Sequence, residues 1–251
     1  MRSDVQARER AFWDEHVPSL DHCIAEYRAG PDPNTKLMLD ALEPLAGARV
    51  LDFACGTGVV SAWLADRGAS VTGIDLSASS IDRARELLDH LGARASFVAG
   101  ALAELARESP FDRIAGRYAL HHVDCETVAP ALAQLLRPAG TAAFVETMAA
   151  NRLLAFLRSH VAGRFGVPRY GTRDERPLGA ADVAALEDAF AAPVRTKVAE
   201  LTFLRVLDRQ ITKFRVRSIS RALGAIDDLL LRAGRDRWSY HQVVIVTKPG
   251  S

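Results

Sequence analysis

Cysteine is scarce in this chain: Cys23, Cys55 and Cys125 stand alone, with no metal-ligand spacing between them, and an odd number cannot pair completely. That argues against a disulfide framework and a thiolate-built metal centre, and leaves free thiols as the expectation. No apolar run approaches the ~18 residues that a membrane-spanning helix requires. The stretch Met1-Arg2-Ser3-Asp4 opens a polar helical segment without the apolar centre of a signal peptide, so a cytoplasmic location is expected. Lysine is rare beside arginine, and alanine is abundant, a bias associated with GC-rich bacterial genomes.

What is present suffices for one sizeable core, since 49% of the 251 residues are hydrophobic. The formal net charge of +1 conceals an asymmetry. Residues 1–150 hold 14 Lys and Arg against 21 Asp and Glu, a balance of −7, whereas residues 151–251 hold 18 against 10, a balance of +8. A basic second part suits an anionic partner, and equally suits a basic cap lying on an acidic domain.

The most informative stretch is Val50-Leu51-Asp52-Phe53-Ala54-Cys55-Gly56-Thr57-Gly58. An apolar run meeting a Gly-x-Gly turn and then a helical pattern reads as strand, tight loop and helix. Glycine allows positive φ and close approach of the backbone to a ligand, and the following helix points N–H groups into the same space. A dinucleotide fingerprint needs a third glycine, but Ser61 stands there. Asp52 in the strand-to-loop corner repels a pyrophosphate and suits a cationic ligand, so a nicotinamide oxidoreductase is disfavoured.

Leu51-Asp52-Phe53-Ala54-Cys55-Gly56-Thr57-Gly58 resembles motif I of the class I S-adenosylmethionine-dependent methyltransferases, in the branch similar to ubiquinone and menaquinone biosynthesis methyltransferases. Further pieces follow in the family's order: Val71-Thr72-Gly73-Ile74-Asp75, Phe111-Asp112-Arg113-Ile114-Ala115, Leu120-His121-His122-Val123 and Leu136-Arg137-Pro138-Ala139-Gly140. The resemblance covers about residues 47 to 147. It implies an α/β, Rossmann-like, mostly parallel seven-stranded sheet flanked by helices, with the last strand antiparallel and helical lid insertions. Residues 1–46 would be an N-terminal helical cover, 47–150 the S-adenosylmethionine-binding core, and 151–251 a substrate lid, helical insertion and closing β-hairpin of the same domain. The implied cofactor site comprises Asp52, Ala54, Gly56, Gly58, Asp75, Leu76, Ala101, Leu102 and Arg117.

Propensity and periodicity agree with that layout. Asp4 to His16 reads as a helix, Pro18 interrupts it, and Asn34 or Thr35 caps a further helix running to Leu45. Strands are expected over Arg49 to Phe53, Ser70 to Asp75, Ala95 to Ala99, Arg113 to Tyr118 and Thr141 to Glu146, with helices over Val59 to Arg67, Ala78 to Leu91 and 127–136. Asp75 sits at a strand's carboxyl end, where a carboxylate can accept hydrogen bonds from both ribose hydroxyls; helix capping beside Ser77 is the alternative. Many relatives carry an acidic residue after the third strand for the adenine amino group, but here Gly100-Ala101-Leu102-Ala103 offers backbone and apolar contacts only. The family's N-terminal cover would bring Trp13 or Tyr27 near the methionine end of the cofactor; otherwise both belong to the apolar side of covering helices.

Adjacent histidines in an extended segment point to opposite sides, so His121 and His122 form a poor chelating pair. One of them is a candidate general base, with His121 expected to face the substrate, unless both are pocket-wall residues. The end of the fifth strand offers Glu146 but no neighbouring Asp-Asn ligands, so no metal site is expected. Asn151 to Phe165 reads as an amphipathic helix that, with the glycine-bearing loop through Tyr170, forms either a substrate lid or ordinary helix packing; His160 and Tyr170, with Tyr27, are the candidate substrate contacts. Arg205, Arg209, Lys213, Arg217 and Arg221 recur every four residues, a basic stripe if they share one helix, for an acidic domain, an anionic substrate, a peripheral membrane contact or plain solvation. Tyr240 to Thr247 reads as a strand, and the family layout implies that it pairs as an antiparallel hairpin with Lys197 to Leu204, with an inserted helical pair between them.

The expected chemistry is transfer of a methyl group from S-adenosylmethionine to a small-molecule acceptor, a bacterial secondary metabolite, quinone or lipid-like compound, by direct displacement. The alternatives are an S-adenosylmethionine-binding protein with a non-methylating reaction or a partner-subunit role, and a nucleic-acid methyltransferase. The last normally shows Asn- or Asp-Pro-Pro-aromatic after the fourth strand, where this chain has Arg117-Tyr118-Ala119-Leu120.

Overall fold

The computed structural model describes residues 3–108, 110–149, 176–211 and 215–250, together with Phe156. The expected lid helix (apart from Phe156), its loop, His160, Tyr170 and Lys213 lie outside these residues.

Three helices come first: α1 (Ser3–Glu15), α2 (Leu20–Ala29) and α3 (Pro33–Ala41). The cap of α3 is Asp32, whose carboxylate accepts from the N–H groups of Asn34 and Thr35, with Pro33 in the first turn. This corrects the expected cap. Asn34 is buried and tied elsewhere, its Oδ1 accepting from Ala199 N at 2.8 Å and its Nδ2 donating to the Glu200 carbonyl at 3.0 Å.

The alternating part runs β1 (Arg49–Phe53), α4 (Val59–Asp66), β2 (Ser70–Asp75), α5 (Ala78–Leu91), β3 (Ser96–Ala99), β4 (Phe111–Arg117), α6 (Cys125–Leu135) and β5 (Leu136–Thr147). After it come α7 (Ala180–Phe190), β6 (Arg195–Lys197), α8 (Leu204–Ile211), α9 (Arg217–Arg232) and β7 (His241–Thr247). The strands form one seven-stranded sheet in the order β3-β2-β1-β4-β5-β7-β6, parallel through β5, with β7 antiparallel to both its neighbours. Two buried clusters cover its two faces, one with Leu51, Ile114, Phe144 and Phe190, the other with Val50, Leu64, Ala143 and Val243. The alternation of Val50 and Leu51 between clusters follows from the period of two in a strand whose both faces are covered.

Two boundaries move. Helix α6 starts at Cys125 because Asp124 caps it, accepting from Glu126 N and Thr127 Oγ1. Strand β5 already includes Leu136 to Gly140, with Ala139 left-handed at φ +58° and a register shift opposite Phe111 and Arg113. The hairpin is also corrected: its first strand is Arg195 to Lys197, which pairs with Val243 to Ile245 of β7. The following segment instead meets Ser239 and Tyr240 through Thr202.

The basic stripe does not lie on one helix. Arg205 is in α8, whereas Arg217 opens α9 after the non-helical residues 215–216. Arg205 is held by Asp228 at 3.0 Å, Glu200 at 3.4 Å and Asp227 at 3.8 Å. Asp227, fully buried on α9, accepts from the N–H groups of Phe203, Leu204 and Arg205 and so caps α8 from outside. Among the described residues no helix is long and apolar enough to cross a membrane.

Candidate active site

The carboxyl ends of parallel strands face one crevice in such sheets, and here a cavity of about 470 Å³ opens beyond β1, β2 and β4. It is lined by Asp52, Ala54, Gly56, Asp75, Leu76, Ala101, Leu102 and Arg117, eight of the nine residues expected at the cofactor site.

The loop after β1 is held tightly. Ala54 turns left-handed at φ +53°, Cys55 N donates to the Ile74 carbonyl, and Gly56 N donates to Asp75 Oδ2 at 2.9 Å. Asp75 Oδ1 accepts from Ser77 N at 2.9 Å, so the acid at the end of β2 braces the glycine turn and also the entry to α5. Capping of α5 itself falls to Ser77, whose Oγ accepts from Ser80 N. Burial raises the Asp75 carboxyl above the usual range despite these two donors.

Gly58 does not line the cavity. It ends the turn at φ +79°, and a Cβ on it would stand 2.8 Å from that of Ala84. Its task is the close packing of α4 on α5, and the expectation of cofactor contact is corrected on that ground.

Asp52 is almost fully buried and accepts from Ser61 Oγ at 2.6 Å. Burial pushes its pKa up to about 7, against the opposing influence of Ser61 and the Arg117 guanidinium. Ser61, whose presence argued against a dinucleotide site, is thus the partner of the acid in the corner. Arg117 bonds Glu26 at 2.6 Å and stacks over the Trp63 ring at 5.5 Å. Cys55 also lines the cavity, and burial lifts its thiol well above the ordinary value.

The histidines are placed otherwise than expected. Residues Leu120–His122 form a 3₁₀ turn, and the two rings lie 4.1 Å apart instead of diverging. His121 is buried, and its Nδ1 lies 2.8 Å from Glu146 Oε2, while Glu146 Oε1 accepts from the N–H groups of Ala119 and Leu120. It is His122 that lines the cavity, which corrects the choice of His121 as the substrate-facing one. Tyr27 is likewise absent from the lining: its hydroxyl donates to Asp66 at 2.7 Å and its carbonyl takes the Trp63 indole. Trp13 does line it, together with Glu9 and Arg10 of α1. Glu9 was missed because a charged residue on a polar first helix reads as solvated, yet it is 3% exposed. Among the described residues no group of three or more His, Cys, Asp or Glu is placed to hold a metal ion.

A parallel sheet in this order, with an antiparallel β7 and a glycine turn after β1, is the layout that the resemblance implied. Among known proteins, residues 50–140 match the family described as methyltransferase domain. Ubiquinone biosynthesis O-methyltransferase of Xylella fastidiosa strain 9a5c is 37% identical over 156 residues, 61% of this chain and 59% of that protein. Its counterpart in strain M23 is 42% identical over the same shares. The chain therefore spans about three fifths of the length of these curated relatives. Among solved structures, geranyl diphosphate C-methyltransferase from Streptomyces coelicolor A3(2) has a TM-score of 0.67 at 14% identity, covering 98% of this chain and 99% of that one, a likeness of fold.

Proposed function

We propose that the cavity binds S-adenosylmethionine and that the chain transfers its methyl group to a small-molecule acceptor by direct displacement. The observation that carries this reading is the placement of Asp52 and Asp75 on either side of the Gly56 turn, in one cavity. The chemistry of the lining suits the group: Asp52 a cationic amino end, Asp75 a pair of hydroxyls, and Ala101 and Leu102 an apolar base. When bound, S-adenosylmethionine supplies a methyl carbon already activated by its sulfonium. The protein's part is then to orient the acceptor, exclude water and receive a proton where the nucleophile carries one.

Of the two histidines, His122 is the one available at the cavity for that proton. The O-methyltransferases matched by part of the chain support a hydroxyl acceptor as the first to examine. The same proposal treats residues 1–46 as a cover, 47–150 as the cofactor core and 151–251 as a substrate-side segment, with a cytoplasmic location and no nucleic-acid partner. Peripheral membrane contact is supported on α9, where Ile219, Ile226 and Leu229 are exposed and Arg217 and Arg221 are exposed beside them.

Calorimetric titration with S-adenosylmethionine, and separately with NADH, tests the reading. Micromolar binding of the first alone is expected, and Asp75→Ala should weaken it severely. Binding of neither ligand favours the partner-subunit alternative.

A further inference from the structure

The N-terminal helix α1 reaches the cavity at two places. At its end, Asp14 accepts from Ser77 Oγ at 2.6 Å and from Ser79 N at 3.3 Å, which pins α1 to the start of α5, next to Asp75. One turn earlier, Trp13 Nε1 donates to Glu9 Oε2 at 3.2 Å, and the same oxygen lies 3.1 Å from His122 Nδ1. The Trp13 ring stands edge-on to His122 at 5.6 Å. Glu9, Trp13 and His122 all line the cavity, and Glu9 is almost fully buried.

With Glu9 ionised, its oxygens can only accept; Nδ1 of His122 then donates to Glu9, and the ring's proton-accepting nitrogen is Nε2. A histidine held by a carboxylate in this way is fixed in one tautomer and is a stronger base. From this geometry, and resting on the methyl-transfer reading above, we infer that Glu9 is a positioning residue that makes His122 the general base for a hydroxyl acceptor. The base is therefore assembled from two distant parts of the chain and is complete only with α1 docked.

The step balances simply. The hydroxyl proton passes to His122 Nε2 and from there to water; the oxygen forms its bond to the methyl carbon as the carbon–sulfur bond breaks, its electron pair leaving on sulfur. Among the described residues, charged or titratable groups beside His122 include Glu9 on α1, His121 next to it, and Asp75, which feels its charge.

The experiment uses the full chain and three readouts. Nitrogen NMR of His122 is expected to show a neutral Nδ1–H tautomer, and Glu9→Gln to lower the His122 pKa. With labelled S-adenosylmethionine and catechol as the probe hydroxyl, Glu9→Gln should lower kcat roughly ten- to hundredfold, with Glu9→Asp recovering part of it. Cofactor affinity by calorimetry, measured on the same Glu9→Gln protein, separates a loss of binding from a loss of kcat. An Nε2–H tautomer, or a tautomer and acid limb of the rate profile indifferent to Glu9→Gln, overturns the inference. Wild-type protein that binds the cofactor yet leaves catechol unmethylated between about pH 6 and 9 overturns the hydroxyl assignment. Failure to bind the cofactor would instead sink the methyl-transfer reading, while the tautomer in the free protein still decides the Glu9–His122 pairing.

Discussion

Gly58 and Ala84 nearly touch: a Cβ on the glycine would come within 2.8 Å of the alanine's, at a φ of +79°. Gly56, two residues earlier, has φ +50° and nothing within 4 Å of such a Cβ. The pair separates packing from ligand access within one motif. Gly58→Ala should cost roughly 2–4 kcal/mol, from left-handed strain plus overpacking, whereas Gly56→Ala should cost about 1–2 kcal/mol and act mainly on cofactor affinity. Denaturant unfolding beside calorimetric titration distinguishes them, and equal stability losses would contradict the assignment.

Asp52 couples stability to pH. Its folded pKa of about 7 lies above the ordinary 3.8, so between these values the unfolded chain holds fewer protons than the folded one. Stability from this group is therefore lost as pH rises from about 4 to about 7, and stays lower beyond. Asp52→Asn removes that penalty and should raise stability at about pH 8.5 by up to a few kcal/mol, by roughly half as much at about pH 5.5, and by little near pH 4. Cofactor binding should weaken in the same variant. In the wild type, affinity for the cationic cofactor should increase as pH rises through about 7, with proton release on binding.

His121 and Glu146 form a structural pair below the cavity. His121→Ala leaves the fully buried carboxylate of Glu146 with one donor fewer and opens a void, at a cost of about 2–4 kcal/mol. Turnover measured well below Tm should be largely retained. A loss of kcat matching that of a His122 variant would return the base to His121.

Asp227 tests whether the α8–α9 pair is energetically separate from the cofactor core. Asp227→Ala removes a buried carboxylate from three backbone N–H groups and takes one of three acidic neighbours from Arg205, leaving Asp228 and Glu200. Stability should fall by roughly 2–4 kcal/mol, with S-adenosylmethionine affinity within about twofold of wild type. A parallel loss of affinity would show that the pair supports the cavity.

The sheet was legible because its signals are local. Strand runs such as Val71 to Ile74 and the glycine turn at Gly56 carry their own period and breakers, and the motif order supplied the topology. The acids lining the cavity, Asp52 and Asp75, could likewise be placed from their positions at strand ends. What escaped depends on partners far along the chain. Nothing near Asn34 announces that residues 199–200 need its side chain, and nothing near Glu9 announces His122, 113 residues away. The choice between His121 and His122 turned on a 3₁₀ turn fixed by Glu146, which an alternation argument cannot see. The basic spacing from Arg205 to Arg221 was real as a pattern, but it fell on two helices, and Arg205 is occupied by acids of its own neighbourhood.

The three cysteines lie buried in three different places: Cys23 on α2, Cys55 in the glycine loop and Cys125 at the start of α6. Burial raises the Cys55 thiol well above its ordinary value and that of Cys125 to about 12, so neither offers a thiolate to a reagent in the folded protein. They are therefore built-in reporters of opening. Alkylation followed over time, with each modified cysteine located by mass spectrometry, would rank α2, the loop and the α6 region by the ease with which each comes apart.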